Sequence, residues 1–193
     1  MLQVKEGDAG SFELLLSKYR RPVVNYLYRM VRNQAVAEEL AQEAFLRVFR
    51  ARGSYEPAAK FTTWLFRIAT RLALNSLRDN RHQRRHHSVD DAGPDQLPLQ
   101  LADERANRED QLLAEARLAA VRRAIATLPE KQRAAVLMHK YEGMDYGQIA
   151  EALDCSVSAV KSLLFRAYES LRASLAHLAV NHKKRPTEDV HGG

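Results

Sequence analysis

The sequence predicts an all-α protein made of two small helical modules joined by a flexible linker. Apolar residues recur at helical spacing almost throughout the chain, and no segment alternates apolar and polar residues cleanly enough to indicate a strand. Residues 88–104 contain five acidic residues, two prolines and no Lys or Arg, which is typical of a segment that does not pack. The predicted division is a first module over 1–80, a linker over 81–106, a second module over 107–180 and a disordered tail over 181–193.

The first module is predicted to hold four helices. Ser11 can cap the first helix, Pro22 can begin the second, which runs to about Val31, and Asn33 can cap the third. The third helix is expected over about 34–52 and the fourth over about 62–79, separated by a loop that begins at Gly53. Each module taken alone would have a thin core of limited stability.

The second module is predicted to contain a helix-turn-helix. A helix starting near Asn107 ends before Pro129, and a second runs over about 130–141. A short amphipathic helix over 146–153 then meets a polar turn, 154–156, and a longer helix in which Ser156 can cap the first turn. In this layout the last helix enters the major groove of DNA.

Five residues of that last helix are expected on its outward face: Ser158, Lys161, Ser162, Phe165 and Arg166. Lys and Arg can reach guanine or phosphate, Ser can hydrogen-bond a base, and Phe can touch a thymine methyl group. The alternative is a basic, solvated helix in an ordinary bundle. The net charge of +6 favours a polyanionic partner, although solubility alone could also explain it.

Composition argues against several other classes of protein. The start of the chain has no apolar stretch typical of a signal peptide, and no apolar run is long enough to span a bilayer, so a cytoplasmic protein without membrane insertion is expected. No nucleotide-binding loop, metalloprotease motif or catalytic triad is evident, so we expect no enzyme, cofactor or metal. His82 and His86 form only a weak metal-binding pattern, and Cys155 is expected to be a packing residue.

Two blocks of sequence resemble the extracytoplasmic-function (ECF) group of bacterial RNA polymerase sigma factors. AEELAQEAFLRVFR (37–50) and FTTWLFRIATRLALNSLRDNRH (61–82) resemble their region 2, and the stretch 128–172, which contains the helix-turn-helix, resembles their region 4. The resemblance covers about residues 5–176. It implies a sigma factor that carries core RNA polymerase to promoters in a stress or envelope response, with region 4 on the −35 element and region 2 melting the −10 element.

The resemblance also implies where partners bind. Core polymerase, through the clamp of its largest subunits, is expected on Glu38, Glu39, Gln42, Glu43 and Phe45. The −10 strand is expected on Lys60, Thr63, Trp64, Arg67, Arg71, Asn75 and Arg78, with the loop 53–60 bordering a pocket for a flipped base. An anti-sigma factor is a further expected partner. From the residues alone, the glutamates could equally be a solvated face, and Trp64 could pack in the core.

The chain departs from the best-known members of the group at two positions. Arg71 stands where they carry Asn, and Leu163 stands where many carry a basic residue, so promoter preference is expected to differ. Two other functions are compatible with a helix-turn-helix. A free-standing helix-turn-helix regulator would need a dimer interface and would bind a palindrome alone. An adaptor that binds polymerase without reading DNA would be insensitive to changes at Lys161 and Arg166.

Overall fold

A computed structural model describes residues 1–57, 60–86 and 108–180. Within these ranges every regular element is helical: α1 (Leu2–Lys5), α2 (Ala9–Val31), α3 (Gln34–Arg50), a 3-10 turn (Arg52–Ser54), α4 (Phe61–His86), α5 (Arg108–Thr127), α6 (Glu130–Tyr141), α7 (Tyr146–Leu153) and α8 (Val157–Val180). The predicted all-α class is confirmed. Most of the predicted linker and the predicted tail over 181–193 lie outside the described residues.

The second helix of the first module differs from the prediction. α2 is one continuous helix, and Pro22 lies inside it instead of beginning a new helix. Proline costs about 3 kcal/mol in a helix interior because it removes one hydrogen bond and crowds the preceding turn. The apolar stripe continues past Pro22, however, and Val23, Tyr26, Leu27 and Met30 are all buried. Their burial, at about 1.5–3 kcal/mol for a large apolar side chain, outweighs the cost.

The N-terminus of α2 is capped by Asp8, so the predicted cap at Ser11 is wrong. The Asp8 carboxylate accepts hydrogen bonds from the Gly10 backbone N–H at 2.9 Å and from the Ser11 hydroxyl at 2.7 Å. The hydrogen bond from the Ser11 hydroxyl is the main reason that the pKa of Asp8 lies below its ordinary value, and the bonds from backbone N–H groups add to it. Ser11 therefore supports the cap from within the first turn of the helix. The preceding short helix α1, which was not predicted, buries Val4.

The other helices of this module lie close to their predicted positions. Asn33 caps α3, and its side chain accepts a hydrogen bond from the Val36 backbone N–H at 3.1 Å. α3 ends at Arg50 because the 3-10 turn follows it. α4 starts at Phe61 and continues to His86, beyond the end predicted near Asp79, and no Gly or Pro interrupts this stretch. The first six residues of the predicted linker are therefore helical.

The two modules pack against each other, which the sequence did not predict. α4 lies on α7, and α2 lies on α6. The buried side chains form one continuous cluster that includes Val23 of α2, Phe66 of α4 and Leu164 of α8. Two modules of this size gain stability from a common core, because the fraction of surface that a protein buries rises with its size.

Arg133 of α6 connects the C-terminal ends of two helices at this interface. Its Nη1 donates to the Met30 carbonyl oxygen at 2.6 Å, and its Nη2 donates to the carbonyl oxygens of Ala126 at 2.7 Å and Leu128 at 3.1 Å. Met30 and Ala126 lie in the last turns of α2 and α5, where carbonyl groups have no partner within the helix. One guanidinium therefore caps a helix in each module, and burial lowers the pKa of Arg133.

Candidate nucleic-acid interface

The helix-turn-helix formed by α7 and α8 is fixed by local hydrogen bonds. Asp145 and Gln148 form a capping box at the start of α7: the Asp145 carboxylate accepts from the Gln148 backbone N–H at 2.9 Å, and the Gln148 side chain accepts from the Asp145 backbone N–H at 3.0 Å. α7 ends at Asp154, which is in the left-handed region with φ 54°. The Ser156 hydroxyl oxygen then accepts from the Ala159 backbone N–H at 3.1 Å, as predicted for the cap of α8.

The outward face of α8 carries the five residues predicted to meet the −35 element. Ser158, Lys161, Ser162, Phe165 and Arg166 are all exposed, while Val160, Leu164 and Ala167 on the opposite face are buried. Phe165 is 68% exposed and lies beside the two cations on this face. The Ser162 hydroxyl donates to the Ser158 carbonyl oxygen at 3.1 Å and keeps its lone pairs for an outside donor. The helix therefore offers an aromatic ring, two cations and two hydroxyls side by side.

Two neighbouring residues face the interior of the module. Leu163, which was expected to mark a lost DNA contact, is half-buried and packs against the core. Cys155, in the turn, is also half-buried, and its backbone N–H donates to the Ala150 carbonyl oxygen at 3.0 Å. Both residues thus contribute to the packing of the helix-turn-helix on the core.

The polar face of α4 is the second candidate surface. Arg71, Asn75 and Arg78 are exposed and follow one another at steps of four and three residues, so they share one side of the helix. Lys60 is exposed just before the helix begins. Arg67 is half-buried one turn earlier, and its Nε atom has no hydrogen-bond partner among the described residues. This row of cationic and amide groups suits the backbone and base edges of a nucleic acid strand.

Two of the residues predicted on this surface lie elsewhere. Thr63 is 2% exposed, which contradicts the expectation that its side chain faces DNA. It shares the core-facing stripe of α4 with Phe66 and Thr70, since these positions are three and seven residues further along the helix. Trp64 is half-buried, with its ring 5.2 Å from that of Tyr55. Tyr55 ends the 3-10 turn and fixes the described part of the loop 53–60; residues 58–59 lie outside the described residues.

The acidic patch predicted to bind polymerase lies on α3. Glu38, Glu39 and Gln42 are exposed, and Glu43 pairs with Arg47 at 2.7 Å. Phe45 is only 5% exposed, so the expectation of an exposed aromatic ring at this position is wrong. Its ring belongs to the stripe that packs α3 against the core.

An apolar groove of about 500 Å³ lies beside this patch, between α2 and α3. Phe45, Leu46 and Phe49 line it, and the side chains of Leu46 and Phe49 are exposed. The rest of the lining is Phe12, Leu16, Arg20, Val24, Glu38, Ala41 and Gln42. Leu46 and Phe49 were not predicted as contact residues from the sequence. Leu46 and Phe49 are three residues apart, which is the spacing of a second apolar stripe on α3.

Among the described residues, Glu142 is the only group whose pKa is raised into the neutral range. Burial raises its pKa to about 7, and the positive charge of Arg29 opposes this shift. Arg29 belongs to α2, whereas Glu142 follows α6, so the two modules share this electrostatic environment. Arg29 also lies over the ring of Tyr141, with 4.0 Å between the guanidinium carbon and the ring centroid.

The part of the chain that the structure describes contains neither a metal-binding cluster nor a membrane-spanning helix. There, no three His, Cys, Asp or Glu side chains are grouped so that they could hold a metal ion. The side chains of His82, His86 and His87 lie outside the described residues. Likewise, no described helix is long and apolar enough to cross a membrane.

Comparison with known proteins gives matches to both modules. Residues 15–83 match the family model of sigma-70 region 2, and residues 118–171 match that of sigma-70 region 4. The chain is 34% identical over 182 residues to the RNA polymerase sigma-H factor of Pseudomonas aeruginosa, a match that covers 91% of this chain and 92% of that protein. It is also 34% identical over 170 residues to the ECF RNA polymerase sigma-E factor of Escherichia coli, covering 88% of each.

Two solved structures share the fold. One is the sigma factor RpoE in complex with the anti-sigma factor NepR from Bartonella quintana, with a TM-score of 0.70, 19% identity, and coverage of 86% of this chain and 97% of that chain. The other is CnrH in complex with the cytosolic domain of CnrY, with a TM-score of 0.63, 22% identity, and coverage of 91% and 94%.

The fold, the helix-turn-helix and the two matched regions define a promoter-specificity subunit, a protein that acts in transcription initiation. The chain belongs to the sigma-70 family of bacterial RNA polymerase sigma factors, in its ECF group. As a sigma factor it directs RNA polymerase to promoters.

Proposed function

We propose that this chain reads the −35 element with α8, melts the −10 element with α4 and holds core polymerase with α3. The observation that carries this assignment is the face of α8, where five residues able to contact DNA are exposed together on a helix whose other side lies in the core. A helix held this way can enter the major groove without losing its own packing. We further propose that the chain acts in the cytoplasm and in a stress or envelope response.

On the −35 element, Lys161 and Arg166 supply the charge. Each cation that neutralises a phosphate makes binding more salt-dependent, by a slope of about 0.9 per contact, and a bidentate contact with guanine discriminates by about 1–3 kcal/mol. Phe165 provides an apolar surface for a thymine methyl group. Ser158 and Ser162 serve as short hydrogen-bonding groups between these longer side chains.

On the −10 element, the exposed row of Arg71, Asn75 and Arg78 tracks the strand that leaves the duplex. Trp64 offers a stacking surface at one end of this row, and stacking on an aromatic ring contributes about 1–3 kcal/mol per base. Arg67 is placed between them. Thr63 is omitted from the proposed contacts because it is buried.

Core polymerase is proposed to dock on the groove between α2 and α3. Glu38, Glu39 and Gln42 form a polar rim, while Leu46 and Phe49 give an apolar centre, which is the usual anatomy of a protein interface. Leu46→Asp should lower the affinity for core polymerase at least 10-fold. Leu14→Asp is a matched control, since Leu14 is 71% exposed on α2 and does not line the groove.

Transcription in vitro tests the proposal as a whole. Purified core polymerase and the chain would be supplied with genomic fragments, and the start sites mapped. Lys161→Ala and Arg166→Ala should each lower use of the mapped promoters by 10-fold or more, whereas Arg172→Ala, an exposed cation further along α8, should have little effect. Promoter choice that is unchanged in the first two variants would point to an adaptor that reads no DNA.

An anti-sigma factor is proposed as the regulatory partner, because the structural neighbours RpoE and CnrH were each solved bound to a second protein, named in the first case as an anti-sigma factor. The candidate to test is any neighbouring reading frame that encodes a protein with one transmembrane helix and a cytoplasmic domain. Its cytoplasmic domain should abolish promoter-directed transcription at equimolar concentration. Transcription that persists with a tenfold excess would exclude that candidate.

A further inference from the structure

A small pocket between α2, α5 and α6 is lined by three arginines. Arg29 and Arg32 come from the C-terminal end of α2, and Arg122 comes from α5. The side chains of Tyr28 and Tyr141 also line it. The volume of the pocket is about 20 Å³, somewhat more than the roughly 10–15 Å³ that one water molecule needs. None of the described residues that line the pocket is acidic.

Positive charge is concentrated around this pocket. Burial lowers the pKa of Arg133, and the charge of Arg32 lowers it further, so the field of the pocket extends to a fourth guanidinium. Glu142 interacts electrostatically with Arg29, but burial raises the pKa of Glu142 to about 7, so this carboxyl group carries only part of a negative charge at neutral pH. Cations that lie close together repel each other more strongly in a half-buried site than in water. A bound anion would relieve this repulsion.

Arg122 has no partner within the part of the chain that the structure describes. It is half-buried, and no described residue forms a hydrogen bond or an ion pair with its guanidinium group. It also lies before the last turn of α5, so it does not complement the negative end of that helix. A guanidinium group has five N–H donors and no acceptor. Arg122 can therefore donate to a ligand that enters the pocket.

Arg32 has an unusual backbone conformation at the edge of the pocket. It is the C-cap of α2, in the left-handed region with φ 60°. Glycine or asparagine is favoured at such a position, because a larger side chain is strained there. Asp154 is the only other described residue besides glycines with a positive φ. A strained backbone that places a guanidinium at a pocket is a reason to look for a function at that pocket.

We propose that this pocket binds a phosphoryl group, either inorganic phosphate or the terminal phosphate of a small phosphorylated molecule. Guanidinium groups suit phosphate because their N–H donors match the spacing of its oxygens and carry the opposite charge. The pocket has room for little more than one such oxygen, so the rest of the ligand lies at its mouth. Since α2 belongs to one module and α5 to the other, a bound phosphoryl group stabilises the contact between them in proportion to its concentration.

This site is separate from the surfaces proposed for promoter DNA and core polymerase, since none of its residues belongs to them. Isothermal titration calorimetry of the full chain, at an ionic strength held constant with sodium chloride, tests it directly. Inorganic phosphate or ATP should bind with a dissociation constant of about 1 mM or below. Equal affinities would identify free phosphate as sufficient, whereas tighter binding of ATP would identify a nucleotide as the source of the phosphoryl group. The melting temperature should rise by about 3–6 °C at ten times the dissociation constant.

Three variants separate specific binding from a general effect of salt. Arg122→Gln keeps a polar stem but removes the charge, and it should weaken binding about 10-fold or more. Arg32→Gly suits the left-handed backbone and removes the guanidinium, so it should weaken binding to a similar degree while circular dichroism still reports a folded chain. Arg123→Gln is the matched control, because Arg123 is exposed beside Arg122 and does not line the pocket. It should bind both ligands as the parent does.

Two results would overturn the site. The first is the absence of binding by either ligand up to about 10 mM, or variants R122Q and R32G that bind as tightly as the parent. The second is binding of a short DNA duplex that depends on Arg122, without binding of phosphate or ATP, which would assign the arginines to DNA instead.

Discussion

Arg133 holds the C-terminal ends of α2 and α5 with one side chain, so its removal should weaken both modules. The most informative change is Arg133→Met, because methionine keeps an unbranched apolar stem of similar length while it removes every donor. Three carbonyl oxygens lose their partner: Met30, Ala126 and Leu128. The Met30 carbonyl belongs to the other module, 103 residues away in sequence.

The expected magnitude follows from these contacts. A hydrogen bond to a charged group contributes about 1.5–3 kcal/mol net, and a carbonyl left buried and unpaired costs about 1–3 kcal/mol. Two effects reduce the sum. Part of the site is open to water, and the pKa of Arg133 is lowered by burial, which shows that the charged form is itself desolvated. We expect Arg133→Met to lower the free energy of unfolding by about 2–4 kcal/mol, or the melting temperature by about 5–15 °C.

Urea denaturation measures the change with two probes. Far-ultraviolet circular dichroism reports all helices, whereas fluorescence of Trp64, the sole tryptophan of the chain, reports the first module. Both midpoints should fall in Arg133→Met, because the cap joins the modules. Arg123→Met is the matched control, since Arg123 is exposed at the end of α5. A loss below about 0.5 kcal/mol, the range of ordinary surface changes, would refute the capping role.

Three further predictions concern single side chains. The pKa of Glu142 in the folded protein, about 7, lies above its ordinary value of 4.5. Protonated Glu142 therefore contributes stability that is fully present below about pH 4.5 and is lost as the pH rises through 7. Glu142→Gln should therefore reduce the loss of unfolding free energy between pH 5 and pH 8 by about 1–2 kcal/mol, a value that allows for the partial exposure of the side chain. Urea denaturation at both pH values measures this difference. Asp145→Ala removes the capping box of α7 and should lower stability by about 0.5–2 kcal/mol, together with −35 binding in footprinting; unchanged protection of the −35 element would contradict this. Thr63→Val replaces a buried hydroxyl that has no partner among the described residues, so the free energy of unfolding should stay the same or rise. Promoter opening, measured by permanganate reactivity, should be unaffected.

The helix-turn-helix was predictable because short-range forces define it. The limits of α6 and α7 and the cap at Ser156 agree with the sequence analysis, since each depends on residues within a turn or two. The outward face of α8 followed from the spacing of Val160 and Leu164, which leaves only one side of the helix for solvent. Whether that face binds the −35 element stays a prediction.

Periodicity alone could not choose between adjacent stripes of one helix. On α3, Phe45 and Leu46 are neighbours in sequence, yet Phe45 is 5% exposed and Leu46 is 48% exposed. On α4, Thr63 faces the core although a polar residue at that position fits a DNA-facing side equally well. A rotation of about 100° per residue separates such neighbours, and only the position of the packed helix decides which of them is covered.

The sequence by itself determined the helical class, the helix-turn-helix and the cationic faces of α4 and α8, because helix propensity, caps and amphipathic spacing act within a few residues. Tertiary structure alone decided that α2 continues through Pro22, that Phe45 and Thr63 are buried, and that the two modules close on each other. These features depend on contacts between residues far apart in the chain, such as Arg133 and Met30. Their free energies come from burial and from shared hydrogen bonds, and no local pattern records which distant surfaces will meet.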